Sequence, residues 1–192
     1  MNIYLINHTE VYNPNLLLYG KSEMPLIENF TIEFSKIKEH LNLDPIYTAF
    51  ISSPLRRCTK LASFLSGDNF STDDNFSELD YGLWEMEETE NIDQTLLSAY
   101  KKTPELFKFP NGENLAEAKK RVLEGYKKAL KSKKENLVII SHSSIIKLIT
   151  ATVIGLHIKN LPKLSADFGS IHKIEIDRAQ RSQKLVLSNL VL

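Results

Sequence analysis

Three short apolar runs, each breaking into polar residues and then into a helix-spaced pattern, constrain this 192-residue chain more than any other feature. Ile3-Tyr4-Leu5-Ile6 leads into Asn7-His8-Thr9-Glu10, and Ala49-Phe50-Ile51 into Ser52-Ser53-Pro54-Leu55-Arg56-Arg57. Leu137-Val138-Ile139-Ile140 leads into Ser141-His142-Ser143-Ser144. Unbroken runs of this kind read as strands covered on both faces. Phe30, Phe34, Ile37 and Leu41 predict a helix over 28–42. Leu55, Cys58, Leu61, Ala62 and Leu65 predict a second, opened by an N-cap and first-turn proline at Ser53-Pro54. A longer helix starts at the Asn114/Glu117 capping pair and buries Leu115, Ala118, Val122, Tyr126 and Ala129. Further helices are expected near 92–103 and 143–155, and residues 170–176 and 184–190 read as a closing pair of strands. Strands alternating with helices imply an α/β chain: a three-layer α/β/α sandwich with a mostly parallel central sheet, one domain over 1–192.

Composition narrows the function classes. Lys+Arg and Asp+Glu stand at 24 each, so no global field draws the chain to nucleic acid or an anionic membrane, and any anion site must be local. The single cysteine, Cys58, excludes an internal disulfide and a cysteine-based zinc cluster, and its helical spacing points to packing. No apolar run approaches ~18 residues, and no basic segment with an apolar core opens the chain, so a cytoplasmic location is expected.

In open α/β sheets ligands bind beyond the carboxyl ends of the strands. His8, His142, Arg56 and Arg57 all fall there, which makes a site for an anion, a phosphate ester above all. The two arginines occupy the first turn of their predicted helix, where the dipole disfavours cations by ~0.3–1 kcal/mol, and a bound anion would offset that. The N–H groups of Ser143 and Ser144, after His142, are suited to phosphate oxygens. Imidazole can attack phosphorus and form a phosphohistidine that water then hydrolyses, given cations around the equatorial oxygens and an acid for the leaving oxygen. His8 could attack while Arg57 and a protonated His142 stabilise charge, and the segment 76–85 offers several carboxyl groups.

At this point the motifs resemble those of the histidine phosphatase (phosphoglycerate mutase-like) superfamily. Its opening signature, Arg-His-Thr-Glu or Arg-His-Gly-Glu after the first strand, is similar to Asn7-His8-Thr9-Glu10. Ser52 to Cys58 resembles its second motif, which implies phosphate binding by Arg57, and Glu78, four residues before Gly82, matches the family's proton donor. Pro110-Asn111-Gly112-Glu113-Asn114 with Arg121 resembles the segment ahead of the family's long helix, and Ser141-His142 its second pocket histidine. Within the superfamily, the loop Tyr19-Gly20-Lys21-Ser22-Glu23-Met24-Pro25-Leu26 and the Trp84-Glu85-Met86 run look like alpha-ribazole phosphatase-like members. The resemblance implies hydrolysis of a small phosphomonoester, such as alpha-ribazole 5′-phosphate in assembly of the cobalamin lower ligand, with no metal and no cofactor. It implies His8, Arg57, Glu78 and His142 as catalytic residues, and Asn7, Gly20, Lys21, Arg57 and Ser143 around phosphate and substrate.

Two departures stand out. Asn7 replaces the motif arginine and offers N–H donors without charge or fork geometry. Ser143-Ser144 replaces small residues after the second histidine, which narrows the pocket but keeps the backbone donors. The variable segment 86–110 is expected to form the lid. A weakened or inactive member that binds a phosphate ligand is the alternative to a working phosphatase.

Overall fold

A computed structural model describes residues 1–180 and 182–192. Six strands form one sheet in the order β3-β2-β4-β1-β5-β6: β1 (Asn2–Asn7), β2 (Thr48–Ser52), β3 (Ser71–Thr72), β4 (Asn136–Ser141), β5 (Ile171–Asp177) and β6 (Ser182–Leu190). The first four run parallel, and β5 and β6 close one edge antiparallel, so the closing strand pair and the mostly parallel sheet are as expected. Leu137, Val138, Ile139 and Ile140 of β4 are fully buried. Their side chains alternate between two cores, as the twofold period of a strand requires. Ile3, Leu5, Leu137 and Ile139 pack on one face against α4 (Leu115–Ala129) and α5 (Ser143–Val153). Ile6, Val138 and Ile140 pack on the other against α1 (Phe30–Leu41) and α2 (Arg56–Ser66). Helices on both faces make the three layers.

α4 opens with the expected capping box: Asn114 accepts from Glu117 N while the Glu117 carboxylate accepts from Asn114 N. α3 (Gln94–Lys102) is capped by Asp93. The Ser53-Pro54 cap is corrected. α2 begins at Arg56 with Leu55 in the cap position, and the capping carboxylate comes from Glu23, whose two oxygens each lie 3.1 Å from Arg56 N. That carboxylate, drawn from the 19–26 loop, offsets the unfavourable placement of Arg56 and Arg57 at a positive helix end, so no bound anion is needed for it. Segment 86–110 is likewise corrected. Ile92, Leu97 and Phe109 join Trp84 in a small satellite core, with Tyr81, Tyr100 and Phe107 against it, and none of 86–110 lines the cavity described next.

Candidate active site

Strand register brings the site together. β1 lies beside β4 with Asn7 opposite Ser141, and His8 N donates to Ser141 O at 3.1 Å, so His8 and His142 leave the sheet side by side. On the other flank of β4, Ser53 N donates to Ile140 O, which sets Ser53 next to His142. The two imidazoles meet edge to face, with centroids 5.2 Å apart. They end neighbouring strands at the N-terminus of α5, whose dipole favours an anion.

The His8 ring has one defined tautomer. Its Nδ1 lies 2.7 Å from Thr9 O, an acceptor only, so Nδ1 carries the proton and Nε2 keeps its lone pair. Burial, reinforced by the Arg57 guanidinium, lowers the His8 pKa to about 3, and the ring is neutral across the physiological range. His142 shares a 2.8 Å hydrogen bond between Nε2 and Ser53 Oγ, and Cys58 Sγ lies 3.6 Å from the same nitrogen. Burial, then His8 and Arg57, push His142 well below the ordinary histidine value. Without an anion, two adjacent buried imidazoles beside a guanidinium favour their neutral forms. A phosphate dianion placed against them would raise both values. Cys58 is fully buried, donates to Ser141 O at 3.3 Å, and has its thiol pKa pushed up by burial, as packing requires.

Arg57, the cation expected at the site, is almost wholly buried. Nη1 donates to Ser22 O at 2.7 Å and Nη2 to Gly20 O at 2.6 Å, Nε has no partner, and the Tyr19 ring lies 5.1 Å from the guanidinium carbon. Glu78 Oε1 accepts from Leu79 N at 2.8 Å and Oε2 from Ser144 N at 3.4 Å. Burial raises the Glu78 pKa against the pull of those bonds and of Arg57, which holds back its ionisation.

A cavity of about 420 Å³ opens over these groups. Asn7, His8, Gly20, Glu78 and Ser143 line it, while Arg57, His142 and Lys21 do not. Its outer wall is apolar and aromatic, from Leu17, Leu18, Tyr19, Tyr81 and Phe168. Lys21 lies outside this lining, with its ammonium 3.5 Å from the Asp80 carboxylate. Asn7 is corrected as a phosphate donor: Nδ2 already donates to Ala166 O at 2.9 Å and Asp167 O at 3.0 Å, and Oδ1 is buried without a partner. Its amide therefore fastens the 166–168 loop to the end of β1. Among the described residues no lysine or arginine lines this cavity; Arg57 lines a separate one with Glu23, Arg56 and Lys60.

Several supporting contacts carried no sequence signal of their own. Arg121 donates to Asn75 O, Ser77 O and Glu78 O and pairs with Glu113, whose carboxylate also accepts from Asp80 N. Together they hold the segment that carries Glu78. The Gly-Glu segment and Arg121 were visible as motif elements, but their clamp on three carbonyls was not. Thr9 and Ser53 stood inside motifs, but neither the Thr9 carbonyl that sets the His8 tautomer nor the Ser53 bond to His142 was readable from them.

A sequence model of the histidine phosphatase superfamily (branch 1) matches residues 3–189. No curated protein sequence matches significantly. Solved structures share the fold at low identity. An alpha-ribazole phosphatase from Shigella flexneri superposes with a TM-score of 0.87 at 23% identity, covering 99% of this chain and 96% of that one. The YhfR protein of Bacillus stearothermophilus gives 0.86 at 20% identity, covering 97% and 95%. A mycobacterial glucosyl-3-phosphoglycerate phosphatase gives 0.82 at 18%, covering 100% and 99%.

Proposed function

Because the chain belongs to the histidine phosphatase superfamily, branch 1, we propose that it is a metal-independent phosphatase acting through a phosphohistidine on His8. The observation that carries the reading is the hydrogen bond from His8 Nδ1 to Thr9 O, which leaves a neutral ring with a free Nε2 lone pair at the cavity wall. In the first step Nε2 attacks phosphorus, the P–O bond to the alcohol breaks, and Glu78 gives its proton to the departing oxygen. In the second, water attacks the phosphohistidine, Glu78 takes the water proton, and inorganic phosphate leaves with His8 restored. Arg57 and the α5 N-terminus stabilise the charge on the equatorial oxygens, and His142 donates once the dianion has raised its pKa.

The substrate is a small phosphomonoester, with neither nucleic acid nor a membrane as partner. The apolar wall of Leu17, Leu18, Tyr19 and Phe168 suits an alcohol with an apolar face. Alpha-ribazole 5′-phosphate is the first compound to test, supported by the 19–26 loop and by the likeness to the Shigella enzyme. Such a reaction would serve cobalamin lower-ligand assembly in the cytoplasm; no helix among the described residues is long and apolar enough to cross a membrane. A second reading, a binding module with little turnover, is favoured by the commitment of both Asn7 donors to the 166–167 carbonyls. Purified protein assayed on p-nitrophenyl phosphate with chelator present decides between them. Turnover that His8→Ala reduces by about 10³-fold or more supports the phosphatase; phosphate binding with no turnover supports the module.

A further inference from the structure

The Glu85 carboxylate accepts four hydrogen bonds from two separate loops. Oε1 takes Lys21 N at 2.9 Å and Tyr81 N at 3.0 Å, and Oε2 takes Ser22 N at 3.0 Å and Ser22 Oγ at 2.6 Å. The same short stretch, Gly20-Lys21-Ser22, presents its carbonyls to the guanidinium of Arg57: Gly20 O to Nη2 and Ser22 O to Nη1. N–H groups of the stretch are thus bound by an anion, and its C=O groups hold a cation. The Gly20–Lys21 peptide lies between the two charges, its C=O on Arg57 and its N–H on Glu85, an arrangement in which hydrogen bonds polarise one another. Gly20 has φ +20°, and a Cβ there would collide with Glu85 Oε1 and with Leu79 O, so the close approach of this stretch to Glu85 requires glycine. A backbone ladder adds to the tie, Leu18 N to Glu87 O and Met86 N to Leu18 O.

We propose that Glu85 is a positioning residue that fixes Arg57 through the Gly20–Ser22 peptides, and so sets the affinity of the site for phosphate without touching it. The inference rests on the phosphatase reading and names the residue that orders Arg57. Neutral Arg57 partners are chosen well for this: carbonyl acceptors hold the guanidinium in place but leave its charge unpaired for a phosphate. A carboxylate bound directly to Arg57 would neutralise it. Glu85 supplies the rigidity from one peptide further out.

The test is a double-mutant cycle on inorganic phosphate affinity, read by calorimetry and by competitive inhibition of p-nitrophenyl phosphate hydrolysis. Glu85→Gln puts an NH₂ where two N–H donors now point. It should weaken phosphate binding and kcat/KM by about 10-fold, and should have no further effect on phosphate affinity in an Arg57→Ala background. Equal weakening in both backgrounds would overturn the proposal, as would undiminished affinity in the single variant. A second readout does not depend on turnover or on phosphate: the Nε and Nη signals of Arg57 in nitrogen-labelled protein. Slow guanidinium rotation in the parent and fast rotation in Glu85→Gln, with the fold retained by circular dichroism, is the expected result. Unchanged Arg57 signals would refute positioning even if the protein proved not to be a phosphatase, which keeps the two failures apart.

Discussion

At the scale of single residues, the chemistry turns on which proton sits where. His8 must be neutral to attack, and its pKa near 3 keeps it so at all but strongly acid pH. Glu78 must be protonated to serve the leaving oxygen, and burial raises its pKa. The account therefore expects kcat/KM to be highest on the acid side and to fall as pH rises through the Glu78 value. Glu78→Gln should remove that falling limb and slow poor leaving groups more than good ones; equal slowing of both classes would argue against Glu78 as the acid. Asn7→Arg should raise kcat/KM about 10-fold, because arginine has donors enough for the Ala166 and Asp167 carbonyls and adds a charge beside His8. A loss in steady-state rate would show that the asparagine geometry at the 166–168 loop matters more than charge. The pairing of the two candidate histidines was legible in the sequence because His8 and His142 each end an apolar run. The protonation of His142 and the commitment of Asn7 were not. The first depends on burial beside another imidazole, and the second on carbonyls 159 and 160 residues away.

At the scale of elements, legibility followed how local the signal was. The α4 box was readable because Asn114 and Glu117 cap each other three residues apart. The start of α2 was misread because its capping group, Glu23, comes from a distant loop and displaces the local Ser53-Pro54 alternative. Ser53 is used instead against His142. Segment 86–110 was misread as a lid because aromatic residues at a loop mouth and aromatic residues in a satellite core look alike in sequence. Two substitutions on α4 separate local from long-range terms. Asn114→Ala removes an exposed cap and should cost about 1 kcal/mol with unchanged kinetics. Arg121→Ala leaves Glu113 and three carbonyls without their partner and should cost about 3 kcal/mol or more, with a fall in kcat as the Glu78 segment loosens. Urea unfolding with parallel steady-state kinetics measures both; equal costs for the two would contradict the clamp.

At the scale of the whole molecule, the sheet order was not readable, although the parallel architecture was. Nothing in the runs states that β4, late in the chain, inserts between β1 and β2, yet that insertion is what brings Ser53, His142 and His8 into a row. Burying three imidazoles has a thermodynamic consequence. His8, His142 and His172 all have folded pKa values below the unfolded value near 6.5, with His172 lowered to about 4 by burial. Below that unfolded value the unfolded chain binds more protons than the folded one, so stability present above about pH 6.5 is lost progressively as pH falls toward the folded values. Glu78, with its raised pKa, runs the other way but is one group against three. Tm should therefore fall between pH 7 and pH 5 in low-salt buffer, and a Tm that is flat or rises over that interval would contradict the burial of neutral rings.

The central claim, covalent transfer to His8, is tested most directly by rapid acid-free quenching of the protein mixed with a radiolabelled phosphomonoester, followed by peptide mapping. The account predicts label on the peptide containing His8, stable to base, labile to acid and absent from His8→Ala. Steady release of labelled phosphate with no label on the protein at any time, or label on another residue, would contradict it.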